Sequence, residues 1–138
     1  VAVLALGPIG NEALRAVNSQ CKPSAETRSV TELVEVPETS VATSSLSIGV
    51  YNMRFVKPLD EETLHHICKT YKRIITLEDG VLQGGFGSAV LEFMADNGYN
   101  LPVKRIGIPN QFVEHGSPAE LYHMLGMDAE GIAKAIEG

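Results

Sequence analysis

Apolar positions along this chain switch repeatedly between the period of a strand and that of a helix, and each switch marks an element. Val1-Ala2-Val3-Leu4-Ala5-Leu6 is a continuous apolar run closed by Gly7-Pro8, the pattern of a short strand buried on both faces of a parallel sheet. Ile9, Ala13, Leu14, Ala16 and Val17 then recur at helical spacing up to Asn18, which predicts a helix. Alternation and β-branched residues return in Ser47–Met53 as a second strand. Pro58 and Asp60 set up the next helix, with Glu61 and Glu62 in its first turn, an apolar stripe of Leu64, Ile67, Cys68 and Tyr71, and Lys69, Lys72 and Arg73 at its end. Ile74–Glu78 reads as a third strand, ending in Asp79-Gly80. The Gly-rich turn Gly84–Ser88 opens a helix that carries Phe86, Val90, Phe93 and Met94 on one face and stops at Asn97-Gly98. Pro102–Pro109 supplies a fourth strand, with Lys104 and Arg105 expected near its exposed start. Ser117-Pro118-Ala119-Glu120 has the form of a capping box, followed by Leu121, Met124 and Leu125, and Asp128 caps a last helix through Ile132 and Ile136.

Strands alternating with amphipathic helices imply a mainly parallel sheet covered on both faces, an open three-layer α/β domain spanning residues 1–138. One stretch breaks the pattern. Residues 19–47 carry Ser or Thr at eleven of 29 positions and two prolines. This predicts a flexible, exposed insertion with at most a marginal edge strand around Leu33–Val36.

Composition narrows the function classes. The 138 residues are 44% hydrophobic, enough for one core, and the formal net charge is −6. An acidic chain has no footprint for nucleic acid or an anionic membrane surface. Its longest apolar run, Val1–Leu6, falls far short of the roughly 18–20 residues of a membrane span. Cys21 and Cys68 lack metal-ligand spacing, so neither a zinc site nor a disulfide framework is expected and a reducing cytoplasm is the default. The first residue is Val, in the middle of a strand pattern, which reads as a chain excised from something longer.

In an open α/β sheet the ligand crevice lies at the carboxyl ends of the strands. Gly84–Ser88 fails as a dinucleotide fingerprint, because the third small position is Val90 and Lys104 and Arg105 stand where a ribose-binding carboxylate belongs. There is no phosphate-binding G-x-x-x-x-G-K-[ST] loop, and Ser88 lacks the G-x-S-x-G elbow of a nucleophile. The turn is expected to serve close helix-to-sheet packing. His65, His66 and His123 are expected at the surface, pointing sideways or outward. Arg54, Lys57 and Asp60 form either a phosphate contact or a local ion-pair network, with Asp60 capping a helix and Arg54 held by a carboxylate such as Glu78. His115, in the loop Glu114-His115-Gly116, is a candidate for contact with a substrate channel. Cys68 is expected to be a small core hydrophobe.

Arg54-Phe55-Val56-Lys57-Pro58-Leu59-Asp60, Thr76-Leu77-Glu78-Asp79-Gly80, Gly84-Gly85-Phe86-Gly87-Ser88 and Gly107-Ile108-Pro109 with His115-Gly116 form a connected series. It resembles the C-terminal domain of transketolase-like thiamine diphosphate enzymes. The R-F-V-K-P-L-D wording and the ending Leu125–Ile132 are most similar to the 1-deoxy-D-xylulose-5-phosphate synthase family. The resemblance covers Val1–Val17 and Ile48–Gly138. In relatives the first helix runs almost directly into the second strand, so residues 19–47 are expected to depart from the family. The resemblance implies an α/β fold with a mostly parallel five-stranded sheet and one antiparallel edge strand, the fifth strand lying around Gln111–Val113 or in the insertion.

It further implies a thiamine diphosphate- and Mg2+-dependent synthase that joins pyruvate to glyceraldehyde 3-phosphate with loss of carbon dioxide, at the start of an isoprenoid route. There this domain binds no cofactor itself. Its partners are the preceding cofactor-binding domains and, in the whole enzyme, a second copy as a homodimer. No catalytic, cofactor-binding or metal-ligating residue is carried over. Arg54, Pro58, Asp60, Glu78, Gly84, Gly85, Gly87 and Ser88 transfer only as signature positions with structural roles. The equivalent domain of a 2-oxo acid dehydrogenase beta component or of a transketolase, and an independent small-molecule-binding module, are the alternatives.

Overall fold

The opening apolar run becomes β1, Ala2–Leu6, and the computed structural model, which describes residues 1–20, 41–43 and 46–138, puts it in the middle of the sheet. Ala2, Val3, Leu4 and Ala5 are each 0% exposed, as an uninterrupted apolar strand covered on both faces must be. A single 3₁₀ turn, Gly7–Ile9, leads into α1, Gly10–Gln20. Further along the chain, β2 (Val41–Thr43) pairs antiparallel with β3 (Leu46–Asn52). Then come α2 (Glu61–Thr70), β4 (Ile74–Val81), α3 (Phe86–Asp96), β5 (Val103–Ile108), α4 (Pro118–Leu125) and α5 (Ala129–Glu137).

The strand order is β2-β3-β1-β4-β5, with β3, β1, β4 and β5 mutually parallel. It is the expected mostly parallel, five-stranded sheet, and its one antiparallel edge strand, β2, falls within residues 19–47. Period-2 alternation splits the core between the two faces. Val3, Ala5, Ile75 and Leu77 face α1 and α5, while Ala2, Leu4 and Ile74 face α2 and α3, whose Leu64, Ile67, Phe86 and Val90 are fully buried. Each of these large side chains withdraws apolar surface worth about 1.5–3 kcal/mol.

Several expected boundaries move, each for a tertiary reason. The first helix does not stop at Asn18. Its buried Ala13, Ala16 and Val17 pack beside α5, and Gln20 Nε2 donates to Glu137 Oε1 at 2.8 Å, which carries the helix two residues further. Leu14, assigned to the apolar stripe, is 46% exposed. Residues 19–47 are not wholly a loop: Ser19 and Gln20 end α1, and Val41–Thr43, Leu46 and Ser47 belong to β2 and β3. Cys21 and the alternation at Leu33–Val36 lie outside the described residues. The helix α2 ends before Lys72 and Arg73, and Arg73 donates to the Ile136 carbonyl of α5 instead. In α4 none of Leu121, Met124 and Leu125 is fully buried; the adjoining Met127, at 0% exposure, is the anchor.

The helix starts are capped as their sequences require. Asp60 Oδ1 accepts from Thr63 N at 3.0 Å, Ser117 and Glu120 form a reciprocal capping box, and Asp128 Oδ1 accepts from Gly131 N at 2.9 Å. Gly126 ends α4 in the left-handed region at φ 66°, and the first turn of α5 is folded directly onto it.

Two predictions follow from this α4–α5 corner. A Cβ on Gly131 would run into the Gly126 backbone, which has no side chain to give way. Gly131→Ala is therefore expected to lower unfolding stability by about 1–3 kcal/mol in urea denaturation. His123 Nδ1 lies 2.7 Å from Asp128 Oδ2, a contact that raises the imidazole pKa and lowers that of the carboxyl. The histidine's contribution is complete below its unfolded pKa of about 6.5 and disappears as pH rises through the raised folded value. The aspartate's is complete above about pH 4 and disappears as pH falls through its depressed folded value. In thermal melts, the difference in Tm between wild type and His123→Ala should be largest between these limits and fade at alkaline pH.

Candidate functional site

The parallel strands deliver their carboxyl ends to one rim, where the loops after β3, β1, β4 and β5 lie side by side. The connections diverge between β1 and β4, the position at which an open α/β sheet leaves a crevice for a ligand. Here that crevice is filled by the protein. Side chains of β4 alternate, so Ile74, Thr76 and Glu78 point to the α2/α3 face. Glu78 is 3% exposed, and its carboxylate accepts from Phe86 N at 2.6 Å and from Gly87 N at 3.0 Å, both in the first turn of α3. Those amides have no partner within the helix, and the partial positive charge there favours an anion. A buried carboxylate thus meets the donors that make its burial tolerable.

The geometry depends on glycine and on an irregular strand. Leu77 pairs with Ile106, but the next paired residue is Val81, with Ile108, so β4 holds extra residues over Glu78–Gly80. A Cβ on Gly85 would overlap the Glu78 carboxylate and come within 2.5 Å of the Val81 carbonyl oxygen. One on Gly87 would lie 2.7 Å from Thr76 Oγ1 and 2.8 Å from Arg105 Cδ, and one on Gly107 would lie 2.9 Å from Glu78 Cγ. Gly84 takes φ 71°, and its amide donates to Ser88 Oγ at 3.1 Å. Ser88 Oγ in turn donates to Leu82 O at 2.9 Å, and Arg105 Nη1 donates to both Leu82 O (2.9 Å) and Ser88 Oγ (3.1 Å).

Glu78, Gly84, Gly85, Gly87 and Ser88 are thus one cluster. Sequence reasoning missed two of its members, Thr76 and Arg105. Arg105 does not sit at an exposed strand start; it is half-buried opposite Thr76 and holds the Gly-rich turn. The signal was strand parity, which puts Arg105 on the same face as Val103. Thr76 Oγ1 is the one buried side-chain polar atom among the described residues without a hydrogen-bond partner.

Arg54, Pro58 and Asp60 lie apart from this cluster, around a shallow cleft of about 710 Å³ at the end of β3. The expected Arg54–Glu78 contact does not form, because the α3 amides hold the Glu78 carboxylate. Arg54 is exposed and takes φ 54°, with its amide donating to Asn52 Oδ1 at 3.2 Å. Asp60 is engaged by Thr63, through both its amide and its hydroxyl, and no ion pair among the described residues joins it to Arg54 or Lys57. The Lys57–Pro58 bond is cis.

The histidines do not converge. His65 is half-buried, with Nδ1 2.8 Å from the Tyr99 hydroxyl and its ring edge-on to Phe93, while His66 is exposed beside the cleft. His115 is exposed in the loop between β5 and α4, in neither group. Tyr122 donates to Asp79 Oδ2 at 2.8 Å, which raises the phenol's pKa and ties α4 to the end of β4. Burial raises the pKa of the Cys68 thiol, consistent with a core side chain. Among the described residues, no three His, Cys, Asp or Glu side chains are grouped to hold a metal ion, and no helix is long and apolar enough to cross a membrane.

The family model for the transketolase C-terminal domain matches residues 25–132. The chain is 52% identical over 137 residues to the 1-deoxy-D-xylulose-5-phosphate synthase of Parabacteroides distasonis, and 46% identical over 136 residues to that of Bacteroides fragilis. Each alignment covers 99% of this chain and 18% of the relative, so the chain spans about 18% of the length of the curated relatives it matches. Both alignments cross residues 19–47, and the family match begins inside that stretch. Another relative, the 1-deoxy-D-xylulose-5-phosphate synthase of Methylibium petroleiphilum, is 50% identical over 95 residues, 69% of this chain. Among solved structures, one described as a split gene transketolase, inactive beta4 tetramer, superposes with a TM-score of 0.73 at 24% identity, over 99% of this chain and 37% of that one. That likeness concerns the fold. By its sequence match and by its parallel sheet closed with a Gly-rich turn, the chain belongs to the transketolase C-terminal domain family.

Proposed function

We propose that this chain is the C-terminal domain of a 1-deoxy-D-xylulose-5-phosphate synthase, an enzyme that condenses pyruvate with glyceraldehyde 3-phosphate and releases carbon dioxide. The observation that carries the reading is 52% identity to such a synthase over 99% of the chain. Within that enzyme the domain is a scaffold: it supports the packing and dimerisation of neighbouring domains and supplies no reacting side chain. Its setting is the cytoplasm.

Thiamine diphosphate and Mg2+ belong to the whole enzyme and fit poorly here. The first turn of α3 is one anion site at the strand ends, and Glu78 already occupies it. A diphosphate offered to the same amides would meet a buried carboxylate of like charge. No step of the reaction is therefore routed through this domain, and the preceding domains hold the cofactor. Glu78, Gly84, Gly85, Gly87 and Ser88 act together as a clamp that seats α3 on the sheet.

The test uses the full-length protein that carries this domain. It is expected to form 1-deoxy-D-xylulose 5-phosphate and carbon dioxide in equal amounts from the two substrates; failure to do so contradicts the reading. Glu78→Ala leaves two buried amides without an acceptor and is expected to lower stability by about 3 kcal/mol. Its kcat/KM, per folded molecule, should stay near the wild-type value. A loss of about 100-fold in kcat at unchanged stability is the mark of a proton-transfer group, and would contradict the scaffold role.

A further inference from the structure

The most exposed large apolar side chains among the described residues are Phe112, at 91%, and Phe55, at 64%. Both follow the carboxyl end of a parallel strand, as does Val81, the last residue of β4, at 47% exposure. Parallel strands bring these ends to one rim. Leu82 N donates to Ile108 O, and Asn110 Nδ2 donates to Gln83 Oε1, so the loops bearing Val81 and Phe112 are joined. Phe55 emerges from β3, three strand spacings or about 15 Å from β5, beside the cleft lined by Met53, Pro58 and Leu59. Scattered exposed apolar residues need no explanation, but a rim that gathers the largest of them marks an interaction surface.

We propose that this rim, anchored by Phe112 and Phe55, docks onto the remainder of the same polypeptide. The inference rests on the reading of the chain as one domain of a longer enzyme. Two observations favour that occupant over a second copy of this rim. Most of the length of the relatives lies outside the segment they share with this chain, so a large intramolecular partner exists for the domain to meet. The charges around the phenylalanines are mainly acidic, with Asp60, Glu62, Asp79 and Glu114 against Arg54 and Lys57. Two such rims face to face would oppose like charges, whereas a pocketed surface with a basic border would complement one. Aromatic anchors within a polar border are the usual composition of such a contact.

Hydroxyl-radical footprinting of the full-length enzyme tests this without any substitution. Phe112 and Phe55 are expected to oxidise several-fold more slowly than their exposure in this domain implies, at every protein concentration. Leu14 and Leu91, exposed on helices away from the rim, should react as their exposure predicts. Oxidation of both phenylalanines at the rate of free surface residues would overturn the proposal. So would protection that disappears on dilution, which assigns the rim to a second copy. In full-length Phe112→Asp, Phe55 should lose its protection while buried Phe93 keeps its own; an unchanged Phe55 would overturn the idea of one shared surface. Absence of synthase activity in the same wild-type preparation would count against the enzymatic reading alone and leave the footprint to be judged separately.

Discussion

A carboxylate almost shut off from water has to find donors inside the protein, and the carboxyl end of this sheet is built around that need. Glu78 takes the two amides at the start of α3. Meeting that requirement fixes where α3 begins, how closely it approaches β4, and why Gly85, Gly87 and Gly107 have no side chains. Alternation along β4 aims the carboxylate toward α3, and Arg105 and Ser88 hold the Gly-rich turn beside it. A charge in a low-dielectric interior is tolerated only when its hydrogen bonds are complete. Loss of the Glu78 carboxylate would leave the Phe86 and Gly87 amides without their acceptor.

The same arrangement limits the chemistry. An open α/β sheet offers its ligand site where the connections diverge, and here an internal anion fills that place. The rim keeps a shallow cleft beside β3, exposed phenylalanines and an acidic border, features suited to contact with another surface more than to turnover. The chain spans a minor part of the relatives it matches, in keeping with the scaffold role proposed for it.

Much of the fold was legible because local and tertiary preferences agree. The apolar run of β1, the Asp60, Ser117 and Asp128 caps and the Gly-rich opening of α3 each lie where their residue types predict. Disagreement arose where distant contacts decide. The first helix outlasts Asn18 because α5 is there to bond Gln20. The face of α4 carrying Leu121, Met124 and Leu125 is not deeply buried, because Met127 takes the anchoring position. At the candidate site, the signature residues were visible but their partners were not. Glu78 could be paired with Arg54 on proximity of strand ends alone. Parity along β4 and β5 puts Glu78, Thr76 and Arg105 on the α3 face, and that relation becomes informative only once the two strands are known to be neighbours.

The claim that Glu78 seats α3 is tested most directly by native-state hydrogen exchange at individual amides. Phe86 N and Gly87 N lie in the first turn of a helix, where amides without an acceptor exchange readily. If the Glu78 carboxylate holds them, both will exchange only on global unfolding, as slowly as amides in the middle of β1. Exchange of these two amides at the rate of frayed helix ends, while β1 stays protected, would contradict the account.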